Sequence, residues 1–216
     1  MIYAIGDSFT AGDELLNPST EAWPALLSSK LNVPVTNQGK PASGNTRMVK
    51  RTIDAVRQKA DMVIIGWSDC CRQEFADDVG IFDIWAARNY RAFQLDDPTH
   101  RINLIKYMTA YDAPKYYYAD WLRKIILVQS ICKLHNIPCV MFIAVGSHKY
   151  HQTYYKEFQD LLSLIDQSMF VDGMFTSIAE WCHGVPYGPN RHPLTEGHQL
   201  IANKIYEHIR NIGWVS

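Results

Sequence analysis

Three short apolar segments constrain this chain more than anything else in it. Ile2–Ile5, Ala60–Ile65 and Pro138–Val145 are each too short to make a helix of ordinary length, and each stops at a glycine: Gly6, Gly66 and Gly146. Runs of this length, bounded in this way, read as buried strands of an α/β sheet covered on both faces. Polar residues follow each glycine closely, as Asp7-Ser8, Ser68-Asp69 and Ser147-His148. The carboxyl ends of parallel strands are where open α/β sheets hold their ligands.

The segments between these runs carry helical spacing. Trp23, Leu26, Leu27 and Leu31 predict a helix over Glu21–Leu31, capped by Ser19 or Thr20, with Pro24 tolerated in its first turn. Val33–Asn37 reads as a short strand, and Met48, Ile53 and Val56 mark a helix ending near Lys59. This β-α-β-α-β order with short connections favours a parallel sheet with right-handed crossovers. Trp121, Leu122, Ile125 and Val128 then give one face of a long helix over Tyr116–His135. A helix is expected over residues 154–165, a short last strand or its remnant over Ser168–Val171, and a closing helix around Leu200, Ile201, Ile205 and Ile209. The expected fold class is α/β: a three-layer α/β/α sandwich about a mostly parallel five-stranded sheet, in one domain over residues 1–216.

Residues from about 70 to 119 break this rhythm. They are rich in aromatics (Phe75, Phe82, Trp85, Tyr90, Phe93, Tyr107, Tyr111, Tyr116, Tyr117 and Tyr118) and show helical fragments but no strong strand. The stretch is too long for a structureless loop and predicts an inserted helical lid or subdomain. Its aromatics either form a core of their own or wall a substrate cleft.

The formal charge of −1 gives no field for nucleic acid or an anionic membrane surface. No apolar stretch approaches the ~20 residues of a spanning helix, and no signal peptide is visible. The five cysteines are odd in number and contain no Cys-x-x-Cys pair, which points to a reducing, cytoplasmic setting. Their spacing and that of the histidines match no structural zinc site, so neither metal nor cofactor is expected.

Four rim and loop positions carry the chemistry: Ser8, Gly44, Ser68 and His192. Acyl transfer needs a nucleophile, a base to take its proton and donors for the oxyanion. Ser8 supplies the nucleophile and His192 the base, while the Ser8 amide, the Gly44 amide and the Ser68 hydroxyl are the candidate donors. Asp7 is expected to brace the Ser8 turn; the alternative for the pair Asp7-Ser8 is simple helix capping. His198 is expected to pack or cap, and His148, His151, His183, Arg47 and Arg191 to be surface residues.

The chain resembles the SGNH (GDSL-type) hydrolases, in that family's block order and over nearly its whole length. Gly6-Asp-Ser-Phe-Thr-Ala-Gly12 is similar to the first block, with Ser8 in the place of the nucleophile. Asn37-Gln-Gly39 and Ser43-Gly-Asn-Thr46 are similar to the second, whose oxyanion glycine maps to Gly44, with Gly39 as the alternative. Ile64-Ile-Gly-Trp-Ser-Asp69 resembles the third, and His192-Pro193 with Gly197 the last. The resemblance implies a flavodoxin-like sandwich and cleavage of carboxylic esters without metal or cofactor. Substrates would be small-molecule or glycan esters, with O-acetyl groups favoured by the aromatic insertion.

Two positions depart from the pattern. The family's third-block asparagine is Ser68 here, and the aspartate three residues before the catalytic histidine is Pro189. Proline cannot orient a histidine, so a Ser8–His192 dyad is the working expectation, or an acid from elsewhere; Asp13 and Asp69 lie in rim segments. These departures also keep a catalytically weak protein that binds a glycan or a protein partner in view. A flavodoxin-like nucleotide binder fits less well, because no phosphate-cradling glycine motif follows the first strand.

Overall fold

A computed structural model describes residues 1–76, 81–85, 114–146 and 152–215. Four parallel strands form the central sheet: β1 (Ile2–Gly6), β2 (Val35–Gly39), β3 (Met62–Trp67) and β6 (Cys139–Ile143), in the order β2-β1-β3-β6. Two further strands, β4 (Arg72–Ala76) and β5 (Ile81–Trp85), pair antiparallel as a separate hairpin. Among the described residues the helices are α1 (Ser8–Ala11), α2 (Pro18–Glu21), α3 (Trp23–Leu31), α4 (Asn45–Arg57), α5 (Pro114–Leu134), α6 (Gln159–Ser163), α7 (Ile178–Trp181) and α8 (Thr195–Asn211).

Strand alternation divides the core in two. Tyr3, Ile5, Val63, Ile65, Cys139 and Met141 point to one face, where they pack with Met48 and Val56 of α4 and Trp121, Leu122 and Ile125 of α5. Ile2, Ala4, Met62, Ile64, Val140 and Phe142 point to the other, against Trp23 and Leu27 of α3 and Ile201, Ile205 and Ile209 of α8. Every residue of β1, β3 and β6 is buried, as two-sided coverage of a parallel sheet requires, whereas the edge strand β2 is only partly buried. Register pairs Ile2 with both Val35 and Met62, so the strands end together and their following loops share one rim.

Several expectations change. Four strands are described instead of five. The segment expected as the last strand is a 3₁₀ turn over Gln167–Met169, and Phe170 makes a single parallel bridge to Met141. That bridge, with Val171 N donating to Met141 O at 2.9 Å, stands beside β6 together with a second isolated parallel bridge, between Ser177 and Ile143. The helix expected over Glu21–Leu31 is broken at Ala22, which is extended. A proline inside a helix clashes with the carbonyl four residues back, so Pro24 has to sit in the first turn of a new helix, α3. The stretch expected as a helical insertion holds, among its described residues, the antiparallel strands β4 and β5.

Tyr116, Tyr117 and Tyr118 belong to α5: Tyr118 is fully buried beside Trp121, and Tyr116 is exposed. The side chains of Phe75, Phe82 and Trp85, the residues Tyr90, Phe93, Tyr107 and Tyr111, and His148 and His151 lie outside the described residues. Among the described residues, no helix is long and apolar enough to cross a membrane.

Candidate active site

Strand β1 ends at Gly6, and α1 begins at once, folding back over the strand end. Gly6 is there for space: a Cβ at this position would lie 2.1 Å from Thr10 Oγ1. Asp7 caps α1, its Oδ1 accepting from Phe9 N at 3.1 Å, and this sets Ser8 as the first helical residue. Gly12 ends the four-residue helix in the left-handed conformation, φ 88°, with its N–H on Ser8 O. Asp13 and Glu14 follow immediately.

His192 comes from the other end of the chain. It sits in a tight loop closed by a bridge between Tyr187 and Pro193, with Gly188 N donating to His192 O at 2.9 Å. The loop brings His192 Nε2 to 2.9 Å from Ser8 Oγ. On the far side of the ring, His192 Nδ1 lies 2.8 Å from Glu14 Oε2. A carboxylate accepting from Nδ1–H fixes the neutral ring with an acceptor lone pair on Nε2, aimed at the Ser8 hydroxyl. The Phe9 ring meets the imidazole edge-on at 5.0 Å and supports that orientation.

Glu14 is the residue that sequence reasoning missed. In place of an unassisted Ser8–His192 pair, the structure holds a carboxylate on the histidine, brought from the segment that follows the serine. Its backbone adopts φ 69°, a left-handed conformation costing a non-glycine residue about 1 kcal/mol. Its Oε1 accepts from Asn190 N at 2.9 Å and its Oε2 from His192 N at 3.1 Å. Burial pushes the Glu14 carboxyl up, but these donors and the His192 ring outweigh it and leave the pKa below the ordinary value. Gly188 makes room, since a Cβ there would stand 2.6 Å from Glu14 Cδ. Asp13 is raised, chiefly by burial, with His192 opposing and Asp7 and Glu14 adding. The one sequence signal for Glu14 was Pro189 standing where an acid was expected, together with an acidic pair at 13–14 close after Ser8.

Beneath Ser8 lies a buried polar cluster. Asp7 is fully buried; its Oδ2 accepts from Ser68 Oγ at 2.9 Å and from Arg72 Nη1 at 3.1 Å. A hydroxyl has one proton, so Ser68 is committed to Asp7 in this arrangement and is not aimed at an oxyanion. Asn45 fastens the Ser68 segment, accepting from Ser68 N at 3.0 Å and donating to Ser68 O and Asp69 O. Gly44, also buried, stands at the start of α4. The amide of Gly39, its alternative, donates instead to Asn37 Oδ1 at 2.8 Å.

The remaining candidates fall into place around this centre. His198 is buried and accepts from Trp23 N on Nδ1 at 3.0 Å, so it caps the start of α3. Burial, with a smaller push from His192, lowers its pKa to about 4. Asp69 Oδ1 accepts from Cys71 N. Arg47 is paired with Glu74 at 2.9 Å, while His183 and Arg191 are exposed. Among the described residues, one group of three potential metal ligands comes together: Asp69, Cys70 and Cys71, all buried, with the two sulfurs 3.9 Å apart.

Comparison with solved structures gives similar folds at low identity. An esterase, EstA, from Pseudoalteromonas sp. is 14% identical, with a TM-score of 0.58 and 98% of this chain and 97% of that one covered. A protein of Desulfitobacterium hafniense assigned to the G-D-S-L lipolytic family is 17% identical, with a TM-score of 0.56 over 96% and 98% of the two chains. A carbohydrate esterase family 2 enzyme of Corynascus thermopiles is 15% identical, with a TM-score of 0.55, covering 99% of this chain and 66% of that one. At such identities the likeness is one of fold. A comparison with curated proteins finds no match. A family model matches residues 14–216, nearly the whole chain, and on that match the protein belongs to DUF6071, a family of unknown function.

Proposed function

We propose that this protein is a serine ester hydrolase in which Ser8, His192 and Glu14 act as a triad. One observation carries the reading: Ser8 Oγ, His192 and Glu14 lie in line, at 2.9 and 2.8 Å, in the order and orientation that proton relay requires. Ser8 Oγ attacks the ester carbonyl carbon as His192 Nε2 takes its proton. The oxyanion is received by the amides of Ser8 and Gly44. Collapse breaks the bond to the alcohol oxygen, which leaves with the proton from His192. Water then attacks the acyl-Ser8, giving its proton to His192, and the carboxylic acid departs as Ser8 recovers its hydrogen.

With Ser68 turned to Asp7, the oxyanion has two donors instead of three. A donor of this kind contributes about 3 kcal/mol, so turnover is expected to be roughly 10²-fold below that of a site with all three. The substrate class is a small carboxylic ester, with O-acetyl groups on carbohydrate as the finer reading. It is supported by the carbohydrate esterases among the similar folds and by the aromatic content of residues 70–119.

The test is labelling with a fluorophosphonate and turnover of p-nitrophenyl acetate, with Ser8→Ala and His192→Ala beside the wild type. Ser8-dependent labelling and a loss of at least ~10⁴-fold in kcat in both variants are expected. Labelling that survives Ser8→Ala, or its absence from the wild type, overturns the reading.

A further inference from the structure

We infer that Arg72 is a positioning residue of this site, tying together the loops that carry its two oxyanion amides. The inference rests on the esterase reading and goes one step beyond it. Arg72 opens β4, and its Nη1 donates both to Asp7 Oδ2 at 3.1 Å and to Ser43 O at 3.3 Å. Asp7 immediately precedes Ser8, and Ser43 immediately precedes Gly44. One guanidinium nitrogen therefore bridges the two residues that precede these amides, through the side chain of Asp7 and the backbone carbonyl of Ser43. The third rim loop joins through Ser68 Oγ, which shares Asp7 Oδ2.

Charge gives the arrangement a second purpose. Asp7 is fully buried and Arg72 is 9% exposed, so solvent screens little of either. An unpaired carboxylate one residue from the nucleophile would oppose the negative charge that develops on the substrate oxygen. The guanidinium offsets that charge through its contact with the Asp7 carboxylate. The hairpin holds Arg72 firmly. Strand alternation puts Glu74 on the same side of β4, where it pairs with Arg47 of α4 at 2.9 Å. The bridge comes from outside the four blocks that resemble the hydrolase family.

Arg72→Lys keeps the charge but shortens the reach, so one ammonium cannot hold both acceptors in place. Steady-state turnover of p-nitrophenyl acetate and the rate of Ser8 phosphonylation are measured for wild type, Arg72→Lys, Asp7→Asn and the double variant, each checked by circular dichroism. Expected are a fall of about 10- to 100-fold in kcat for Arg72→Lys with KM within twofold, and a parallel fall in phosphonylation. Because both residues act through one contact, the double variant is expected to lose far less than the product of the two single losses. Should Arg72→Lys not fold, Asp7→Asn with Arg72→Gln removes the buried charges as a pair and is read in the same way. A wild type that labels at Ser8 while folded Arg72 variants label within twofold of it overturns this inference alone. A wild type without Ser8-dependent labelling overturns the esterase reading, and this inference with it. A raised KM at unchanged kcat also overturns it, since positioning of the oxyanion amides acts on the transition state.

Discussion

Two carboxylates flank the proposed nucleophile, and they live in different surroundings. Asp7 lies beneath Ser8, fully buried, and is held by a backbone amide, a hydroxyl and a guanidinium. Glu14 lies above it at the rim, its side chain 13% exposed, and is held by Asn190 and His192 from the far end of the chain. Every partner of Asp7 is a fixed donor, so its carboxylate can only hold geometry. Glu14 touches the imidazole of the proposed general base, so in the proposed mechanism its carboxylate responds to a moving proton. The difference separates architecture from chemistry within one dozen residues, and it can be broken experimentally at either side.

The largest effect is expected at the rim. Glu14→Gln keeps the size of the side chain but removes the charge that favours the imidazolium, and kcat is expected to fall by roughly 10³- to 10⁴-fold, with KM little changed. Stability should move by under about 1 kcal/mol, because the side chain is partly solvated. Asp7→Ala is expected to do the reverse in emphasis. It breaks the buried ion pair between Asp7 and Arg72, at a cost of about 3–5 kcal/mol in urea unfolding. If Glu14→Gln unfolds the protein, or Asp7→Ala leaves its stability intact, the division between the two carboxylates fails.

This division also marks what the sequence could and could not convey. Ser8 and Asp7 were legible because strand, glycine and cap are neighbours in the chain, and local pattern reports local structure. The two-faced core followed from alternation in β1, β3 and β6. Glu14 was not legible because its role depends on a contact spanning 178 positions, and no offset along the chain encodes it. Ser68 was misassigned for the same reason: whether its hydroxyl serves the rim or Asp7 is decided by a partner 61 residues away. The β4–β5 hairpin was missed because its strands are five residues each and lie next to a stretch dominated by aromatics. Arg72, the residue that gives the hairpin its link to the rim, resembles any solvated arginine until its burial is known.

The two histidines of the C-terminal segment repeat the contrast on a smaller scale. His198, unlike His192, is buried as a neutral acceptor for Trp23 N, and its pKa of about 4 lies below the ordinary 6.5. The unfolded chain therefore binds a proton that the folded one refuses as pH falls below 6.5. The stability this residue provides is complete above about 6.5 and is lost progressively towards pH 4, by roughly 3 kcal/mol over that window. His198→Asn places an amide oxygen where Nδ1 stands and does not titrate. Urea unfolding across this range is expected to show a shallower dependence on pH in the variant; equal slopes would remove His198 from the brace.

The smallest effect isolates the fit of the relay from its chemistry. Gly188 has no φ that forbids a side chain, yet an added Cβ would press on the Glu14 carboxylate at 2.6 Å from Cδ and 2.7 Å from Oε2. Gly188→Ala leaves Ser8, His192 and Glu14 all present and moves only the last of them. Sub-ångström displacement of an orienting group is expected to cost about 10- to 100-fold in kcat, well short of deleting its charge. The same substitution in a Glu14→Gln background should cost less, because the group that it displaces has already lost its electrostatic role. Additive losses would instead mean that Gly188 acts on the loop carrying His192, and the rim would then be held by its backbone more than by Glu14.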